Sequence, residues 1–202
     1  MDEQSRLLTL LATHAYQYQP ESPFTLASGR VSPEYLDCKL ALSQPEAVFC
    51  LGKLLLARLK PQVVAIGGLT MGSDPIAVST SIASFGTDRQ VRWFAVRKEP
   101  KIHGRKKLIE GDVREGETIA VVDDVVTSGS STIQAIMKCR EAGFKVAQVI
   151  VLVDREQDGG LDEIRKVVGE DVPVDAIFKK SQIHERWLDK IKSTRPILEK
   201  TA

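Results

Sequence analysis

Apolar positions in the amino-terminal part of the chain follow helical and then irregular spacing. Apolar residues from Leu7 to Ala15 recur at helical intervals, which predicts an amphipathic helix over residues 4–18. Residues 24–37 alternate imperfectly around a Ser-Gly break, which predicts a small hairpin. The Ser-Gln-Pro-Glu segment at 43–46 has the form of a capping box with a proline in the first turn. We therefore expect a helix from there through Leu59.

The rest of the chain alternates short apolar segments with helical or loop segments. The predicted strands cover residues 63–66, 93–96, 118–122, 146–153 and 174–178, and the predicted helices cover residues 74–84, 131–142, 161–168 and 181–192. Runs rich in Val and Ile indicate strands that are buried on both faces, as in a parallel sheet. The pattern predicts an α/β fold, in which ligands bind at the carboxyl ends of the strands.

One strand end carries candidate chemistry. The segment from Thr118 to Thr132 reads TIAVVDDVVTSGSST: an apolar strand predicted to stop at Asp123 and Asp124, a hydroxyl-rich loop with one glycine, and a helix. Backbone N–H groups at such a turn form an anion site that suits a phosphate monoester. Carboxylates suit a vicinal diol or waters around Mg²⁺, so ribose 5-phosphate fits both features. From these residues alone, a polar helix cap without a ligand stays open.

Standard nucleotide-binding motifs are missing from the sequence. No GxxxxGK[ST] segment occurs and no GxGxxG follows a predicted strand, which disfavours the common ATPase and dinucleotide-binding folds. The acid pair, Thr127, a small residue, a glycine and further hydroxyls instead resemble the phosphoribosyl diphosphate signature of type I phosphoribosyltransferases.

Three further segments are similar, in the same order, to segments of the orotate-specific members of that family. They read FTLASGRVSP at 24–33, GLTMGSDP at 68–75 and VRKEPKIHG at 96–104. The resemblance implies a central parallel sheet flanked by helices in a single domain over 1–202. It also implies a small amino-terminal hood formed by about residues 1–40 and the carboxyl-terminal segment.

The resemblance implies a role for each matching residue. Contacts to phosphoribosyl diphosphate are expected from Arg97, Lys98, Lys101, His103, Asp123, Asp124, Val125, Val126, Thr127, Ser128, Gly129, Ser130 and Ser131. The residues expected to be catalytic are Lys98, Lys101, His103 and Asp124. Orotate is expected to contact Thr127, Arg155 and Phe24. Two alternatives stay open: the basic run is a solvated loop, and Arg155 forms a structural salt bridge with Glu156 or Asp158.

The implied reaction is Mg²⁺-dependent transfer of the phosphoribosyl group to orotate, giving orotidine 5′-monophosphate and diphosphate in pyrimidine biosynthesis. The metal is expected to bind through substrate and through waters near Asp123 and Asp124, without a direct protein ligand. The loop carrying Lys98 would reach a neighbouring subunit, so a homodimer with shared active sites is expected. A purine or xanthine phosphoribosyltransferase, or a non-catalytic nucleotide-sensing regulator with the same fold, is the alternative.

One departure from the family pattern limits the transfer of roles. Some orotate-specific members have a lysine in the diphosphate loop and another in the FTLxSGR segment. Here the loop at 68–75 contains no lysine and position 27 is alanine, so those two assignments cannot be carried over.

Composition narrows the partners and the compartment. The chain has 28 Lys and Arg against 27 Asp and Glu, a net charge of +1, so no global field favours nucleic acid. The three cysteines are odd in number and never approach CxxC spacing, so we expect reduced thiols in a cytoplasmic protein. No apolar run reaches the roughly 18 residues of a membrane span, so we expect no membrane partner.

Overall fold

A central sheet organises the computed structural model of the chain, which describes residues 2–25, 29–99 and 108–194. The strands are β1 (Tyr16–Tyr18), β2 (Phe24–Thr25), β3 (Val31–Ser32), β4 (Glu34–Leu36), β5 (Ala65–Leu69), β6 (Arg92–Val96), β7 (Ile109–Gly111), β8 (Thr118–Val126), β9 (Lys145–Asp154) and β10 (Val174–Lys179). The helices are α1 (Glu3–Leu10), α2 (Cys38–Leu42), α3 (Pro45–Arg58), α4 (Asp74–Ser84), α5 (Ser130–Glu141), α6 (Gly160–Val168) and α7 (Lys180–Thr194). None of these described helices has the length and apolar content to span a membrane.

The sheet has six strands in the order β10-β9-β8-β5-β6-β7. The first five are parallel to their neighbours, and β7 pairs antiparallel with β6. The predicted α/β fold is therefore confirmed, with one edge strand that the sequence analysis missed. Strand β7 is only three residues long and has Glu110 at its centre, so it lacks an apolar pattern.

Both faces of the sheet are buried, as the apolar strand segments predicted. In β8, Ala120 and Val122 belong to the core cluster that includes α1, α3, α4 and α7. Ile119 and Val121 point to the other cluster, which includes Ile136 of α5 and residues of α6. The period-two alternation therefore divides one apolar strand between two cores.

Two strand ends lie further along the chain than predicted. Strand β8 does not stop at the acid pair, because its partner β9 continues the ladder and pairs with Asp123 and Val126. Strand β5 starts at Ala65 and includes Gly67 and Gly68, whereas the prediction ended it at 66. These glycines are needed for close strand packing, since a Cβ on Gly68 would collide with the Val122 carbonyl.

The amino-terminal prediction is partly wrong. Helix α1 gives way to a π-helical turn at Leu11–Ala15, and the predicted end of that helix is strand β1. The hairpin is confirmed for β2 and β3, whereas β4 pairs antiparallel with β1. The capping box is also wrong: Gln44 occupies the N-cap of α3 without a side-chain bond, while Ser43 ends the unpredicted helix α2.

The carboxyl-terminal helix α7 packs on the amino-terminal elements. The Tyr16 hydroxyl donates to Glu34 Oε1 at 2.7 Å and lies 2.7 Å from His184 Nδ1. Lys180 Nζ donates to Glu34 Oε2 at 2.6 Å, and the His184 ring stacks on Trp187. His184 is therefore part of a half-buried network that joins α7 to the amino-terminal strands.

Candidate active site

The loop between β8 and α5 encloses an anion-sized cavity. A cavity of about 180 Å³ is lined by Asp123 and residues 125–132. Gly129 caps α5 with a φ of 79°, a conformation that favours glycine, and it provides no side-chain cap. The first backbone N–H groups of the helix are thus left for a bound anion, together with the hydroxyls of Ser130 and Ser131.

The two acids of the pair have different environments. Asp123 is 5% exposed; its Oδ2 accepts a hydrogen bond from Thr132 Oγ1 at 2.7 Å and its Oδ1 accepts one from the Asp124 backbone N–H at 3.0 Å. Burial raises the pKa of Asp123 to about 6, while the Thr132 hydrogen bond opposes that shift. The buried acid therefore braces the loop from behind.

Asp124 is the more available acid of the pair. Its Oδ1 accepts from the Val125 N–H at 2.9 Å, and its Oδ2 lies 3.9 Å from Lys39 Nζ. Burial raises the pKa of Asp124, and the Lys39 charge acts in the opposite direction. Asp124 thus presents a carboxylate near the carboxyl end of β8, where a diol or metal-bound water is expected.

The loop after β5 lies directly against this carboxylate. A Cβ on Gly72 would collide with Asp124 Oδ1, so only glycine allows the loop to approach so closely. Thr70 Oγ1 donates to Asp74 Oδ2 at 2.6 Å, which ties the loop to the start of α4. This loop is the segment that resembles the family's diphosphate loop.

Arg155 follows β9 and lies beside the acid-pair loop. Its backbone N–H donates to the Val126 carbonyl at 3.0 Å. Its guanidinium Nε is buried and has no hydrogen-bond partner among the described residues. The carboxylate of Glu156 instead accepts from the Ser181 N–H, and Asp158 pairs with Arg30 at 3.5 Å. The arginine is thus positioned with an unused donor, as an anion-binding residue would be.

The basic segment begins at the same edge of the sheet, at the end of β6, which is the strand next to β5. Arg97 and Lys98 follow β6, and the Arg97 guanidinium lies 3.6 Å from Glu110 Oε1. Lys138 Nζ donates to the carbonyl oxygens of Arg97 at 2.9 Å and Lys98 at 2.7 Å. The predicted residues Lys101 and His103 lie outside the described parts of the chain.

Phe24 is in the small strand pair β2–β3, with its ring 5.4 Å from the Tyr35 ring. The neighbouring residues 26–28 of the expected lid lie outside the described residues. The other predicted site residues in the described ranges lie at the carboxyl edge of the sheet: Arg97, Lys98, Asp123, Asp124, Val125, Val126, Thr127, Ser128, Gly129, Ser130, Ser131 and Arg155.

Sequence reasoning missed three polar residues of this region: Lys39, Thr132 in its role as partner of Asp123, and Lys138. Only Lys39 had a local signal, because Asp37 precedes a short apolar run in the way that an N-cap residue does. Its distance from Asp124 is a tertiary feature that no local pattern encodes.

Comparison with known proteins gives an independent result. No protein-family model matches the chain. An orotate phosphoribosyltransferase of Aquifex aeolicus is 40% identical, over 91% of this chain and 98% of the relative. One of Synechocystis sp. is 44% identical, over 76% of each chain.

A solved structure supports the same relationship. The orotate phosphoribosyltransferase of Mycobacterium tuberculosis, in complex with Fe(III) dicitrate, superposes with a TM-score of 0.75 at 28% identity and covers 90% of this chain and 98% of that one. The Aquifex relative and this solved structure match nearly from end to end, and the described geometry places the acid-pair loop, the glycine loop and Arg155 at one sheet edge. The chain therefore belongs to the orotate phosphoribosyltransferase family.

Proposed function

We propose that this sheet edge is where the chain transfers the phosphoribosyl group of 5-phospho-α-D-ribose 1-diphosphate to orotate. The observation that carries the proposal is the position of Asp124. It lies between an anion-sized cavity at the start of α5 and the glycine loop after β5, with Arg155 directly after the adjacent strand β9. Two phosphate-binding elements on either side of a diol acceptor fit a donor with a phosphate at each end of a ribose.

The donor is held mainly by the β8–α5 segment. The N–H and hydroxyl groups from Thr127 to Ser131 bind the 5-phosphate, with the backbone of Val125 and Val126 forming the cavity wall. Asp124 accepts from the ribose hydroxyls, and Asp123 fixes the loop through Thr132.

Orotate binds on the β9 side of this loop. The Arg155 guanidinium forms a charge-assisted fork with the orotate carboxylate, and Thr127 contacts the ring. Phe24 belongs to the lid over the base. The unpartnered Nε of Arg155 among the described residues supports this assignment.

The transfer is a substitution at ribose C1. A bond forms between N1 of orotate and C1 as the bond from C1 to the diphosphate oxygen breaks; the diphosphate leaves with the electron pair, and the N1 proton is released. Positive charge develops on the ribose and negative charge on the leaving group, so positioning and neutralisation supply the catalysis. Lys98, Lys101 and His103 neutralise the departing diphosphate.

The residues at this edge fit a magnesium ion that arrives with the donor. Its waters would lie near Asp123 and Asp124 and would donate to Asp124, because Asp123 is buried and both of its carboxylate oxygens already accept hydrogen bonds. The described ranges contain no group of three His, Cys, Asp or Glu side chains that could hold a metal. When bound, Mg²⁺ would supply further neutralisation of the negative charge on the donor.

A homodimer with shared sites is also part of the proposal. Large apolar side chains are exposed on α3 and α4 and in the β5 loop, including Phe49, Met71, Ile82 and Phe85, the last of which is 84% exposed. Such exposure on neighbouring helices supports a contact with a second copy. Lys98 would then serve the partner's site.

The remaining assignments concern organisation and compartment. We propose one domain over 1–202, in which the two small sheets, β1 paired with β4 and β2 paired with β3, form the hood together with helix α7. Cys38, Cys50 and Cys139 are buried free thiols, which supports a reducing compartment, the cytoplasm.

One assay tests the function. The purified protein is incubated with Mg²⁺, the phosphoribosyl donor and, separately, orotate, adenine, hypoxanthine and uracil. Diphosphate release is expected in the mixture that contains orotate and in none of the other three. Release with adenine or hypoxanthine would instead indicate a purine phosphoribosyltransferase, and donor binding without release in any mixture would indicate a regulator.

A further inference from the structure

A lysine from helix α2 lies beside the acid pair. Lys39 Nζ is 2.6 Å from Asp37 Oδ1 and 3.9 Å from Asp124 Oδ2. Among the described residues, it is the only Lys or Arg within ion-pair distance of either carboxylate of the pair. Lys39 is therefore the basic residue that the structure places beside the acid pair.

The local sequence fixes this lysine in place. Asp37 is the N-cap of α2, and the same Oδ1 atom accepts from the Lys39 backbone N–H at 3.1 Å. Cys38, Ala41 and Leu42 are buried and anchor the helix in the core. The hydrogen bond to Asp37 raises the pKa of Lys39, so the ammonium stays charged at neutral pH.

The charges around the glycine loop explain why a cation is needed there. The loop from Gly68 to Ser73 has no Lys or Arg of its own, and its acidic neighbours are Asp74 and Asp124. A diphosphate is strongly anionic, so it would face only carboxylates and backbone dipoles from these elements. Asp124 directs Oδ1 toward Gly72 and Oδ2 toward Lys39, which puts the ammonium one carboxylate away from the loop.

The side chain also has the capacity to bind a ligand. An ammonium has three N–H donors, and within the described part of the chain Asp37 is the one acceptor at hydrogen-bond distance, because 3.9 Å to Asp124 is an ion-pair distance only. The Lys39 side chain is 46% exposed, so solvent and substrate can reach it.

We propose that Lys39 is a donor-binding residue, whose ammonium contacts the anionic donor at the glycine loop and supplies the positive charge that this loop lacks. In the free protein it pairs with Asp37 and faces Asp124. The inference rests on the proposed function and adds to it a donor contact from the amino-terminal region.

Substitution of Lys39 and of a matched control tests the inference. Lys53 provides the control, because it also lies on a helix, forms a 2.6 Å ion pair with Glu3 and has a 50% exposed side chain, but lies in α3 and pairs with α1. The variants are Lys39→Met, Lys39→Gln, Lys39→Arg and Lys53→Met. Calorimetry measures the Kd of the donor and of inorganic diphosphate, each with Mg²⁺, and kinetics gives kcat and both KM values.

Lys39→Met and Lys39→Gln are expected to raise the donor and diphosphate Kd by about tenfold or more, since a charge-assisted contact is lost. The orotate KM and the thermal midpoint should change little, Lys39→Arg should restore most of the affinity, and Lys53→Met should match wild type. Unchanged donor binding in both neutral Lys39 variants, or an equal loss in Lys53→Met, would overturn the inference. Wild-type protein that binds donor but does not use orotate would instead overturn the proposed function, independently of the Lys39 result.

Discussion

The acid-pair loop and the start of the basic segment, which the proposed function assigns to one site, are held in different ways. The acid-pair loop continues a central strand: Asp123 is paired within the sheet, buried and bonded to Thr132. The basic segment leaves the sheet after β6, and the carbonyl groups at its start are tied to α5 through Lys138. In the proposed function, the loop that binds the 5-phosphate and ribose of the donor is thus built into the sheet, whereas the segment that provides cations for the leaving diphosphate is held through the Lys138 side chain.

The acid-pair loop, which is held within the sheet, should be more sensitive than the basic segment to a single isosteric change. Asp124→Asn keeps the size of the side chain and removes its charge, so a charge-assisted contact to the donor is lost. We expect kcat/KM for the donor to fall by about ten- to one-hundredfold. Asp88→Asn, at an exposed loop position, serves as the control. Unchanged kinetics in the Asp124 variant would remove this acid from the site.

Subunit mixing tests whether the acid-pair loop and the basic segment of one active site come from different chains. Lys98→Ala and Asp124→Asn proteins, each of which is expected to be strongly impaired alone, are mixed under conditions that allow exchange. If Lys98 acts in the partner's site, about half of the dimers are mixed and each has one intact site, so activity should return to roughly a quarter of wild type. Differently tagged subunits report the exchange. No recovery despite proven exchange would show that both residues act within one chain.

The orotate side of the acid-pair loop can be tested separately. Arg155→Lys keeps the charge and loses the planar fork, so the orotate KM should rise by about tenfold while the donor KM changes less. Arg165→Lys, whose guanidinium pairs with Asp162 on the exposed face of α6, is the matched control. Equal increases in both KM values for Arg155→Lys would indicate a structural role instead.

The smallest effect is expected where the basic segment is tethered. Lys138→Met removes two hydrogen bonds to backbone carbonyls without touching substrate, so kcat should fall by about threefold with little change in donor Kd. Lys166→Met, an exposed lysine paired with Glu163, is the control. A loss of donor affinity as large as that of Asp124→Asn would mean that the two regions are not held in different ways.

The sequence predicted those parts of the site that depend on strand order. Parallel strands bring their carboxyl ends to one edge, so the proximity of Arg155 to the acid-pair loop follows from two apolar segments and is confirmed by its hydrogen bond to Val126. The observed strand order confirms the α/β fold, and the similarity to known proteins confirms the family relationship. The roles of individual site residues stay predictions.

Other features could not be predicted because long-range contacts decide them. The extension of β8 beyond Asp123 depends on the length of its partner strand. Strand β1 interrupts a helical pattern because it pairs with β4. Lys39 approaches Asp124 only after α2 has packed on the core, and α2 is too short to leave a periodic signal.

The network that joins Tyr16 and Glu34 to α7 has a consequence for the order in which parts of the chain fold during synthesis. Tyr16 and His184 are 168 positions apart, whereas the last strand of the central sheet ends at Lys179, just before α7 begins. A chain emerging from the ribosome can therefore assemble every strand of the described central sheet before His184, the α7 partner of Tyr16, has been made. In the proposed function, the loop that binds the donor would thus form first, and the cover of the base would be completed only after α7 is released.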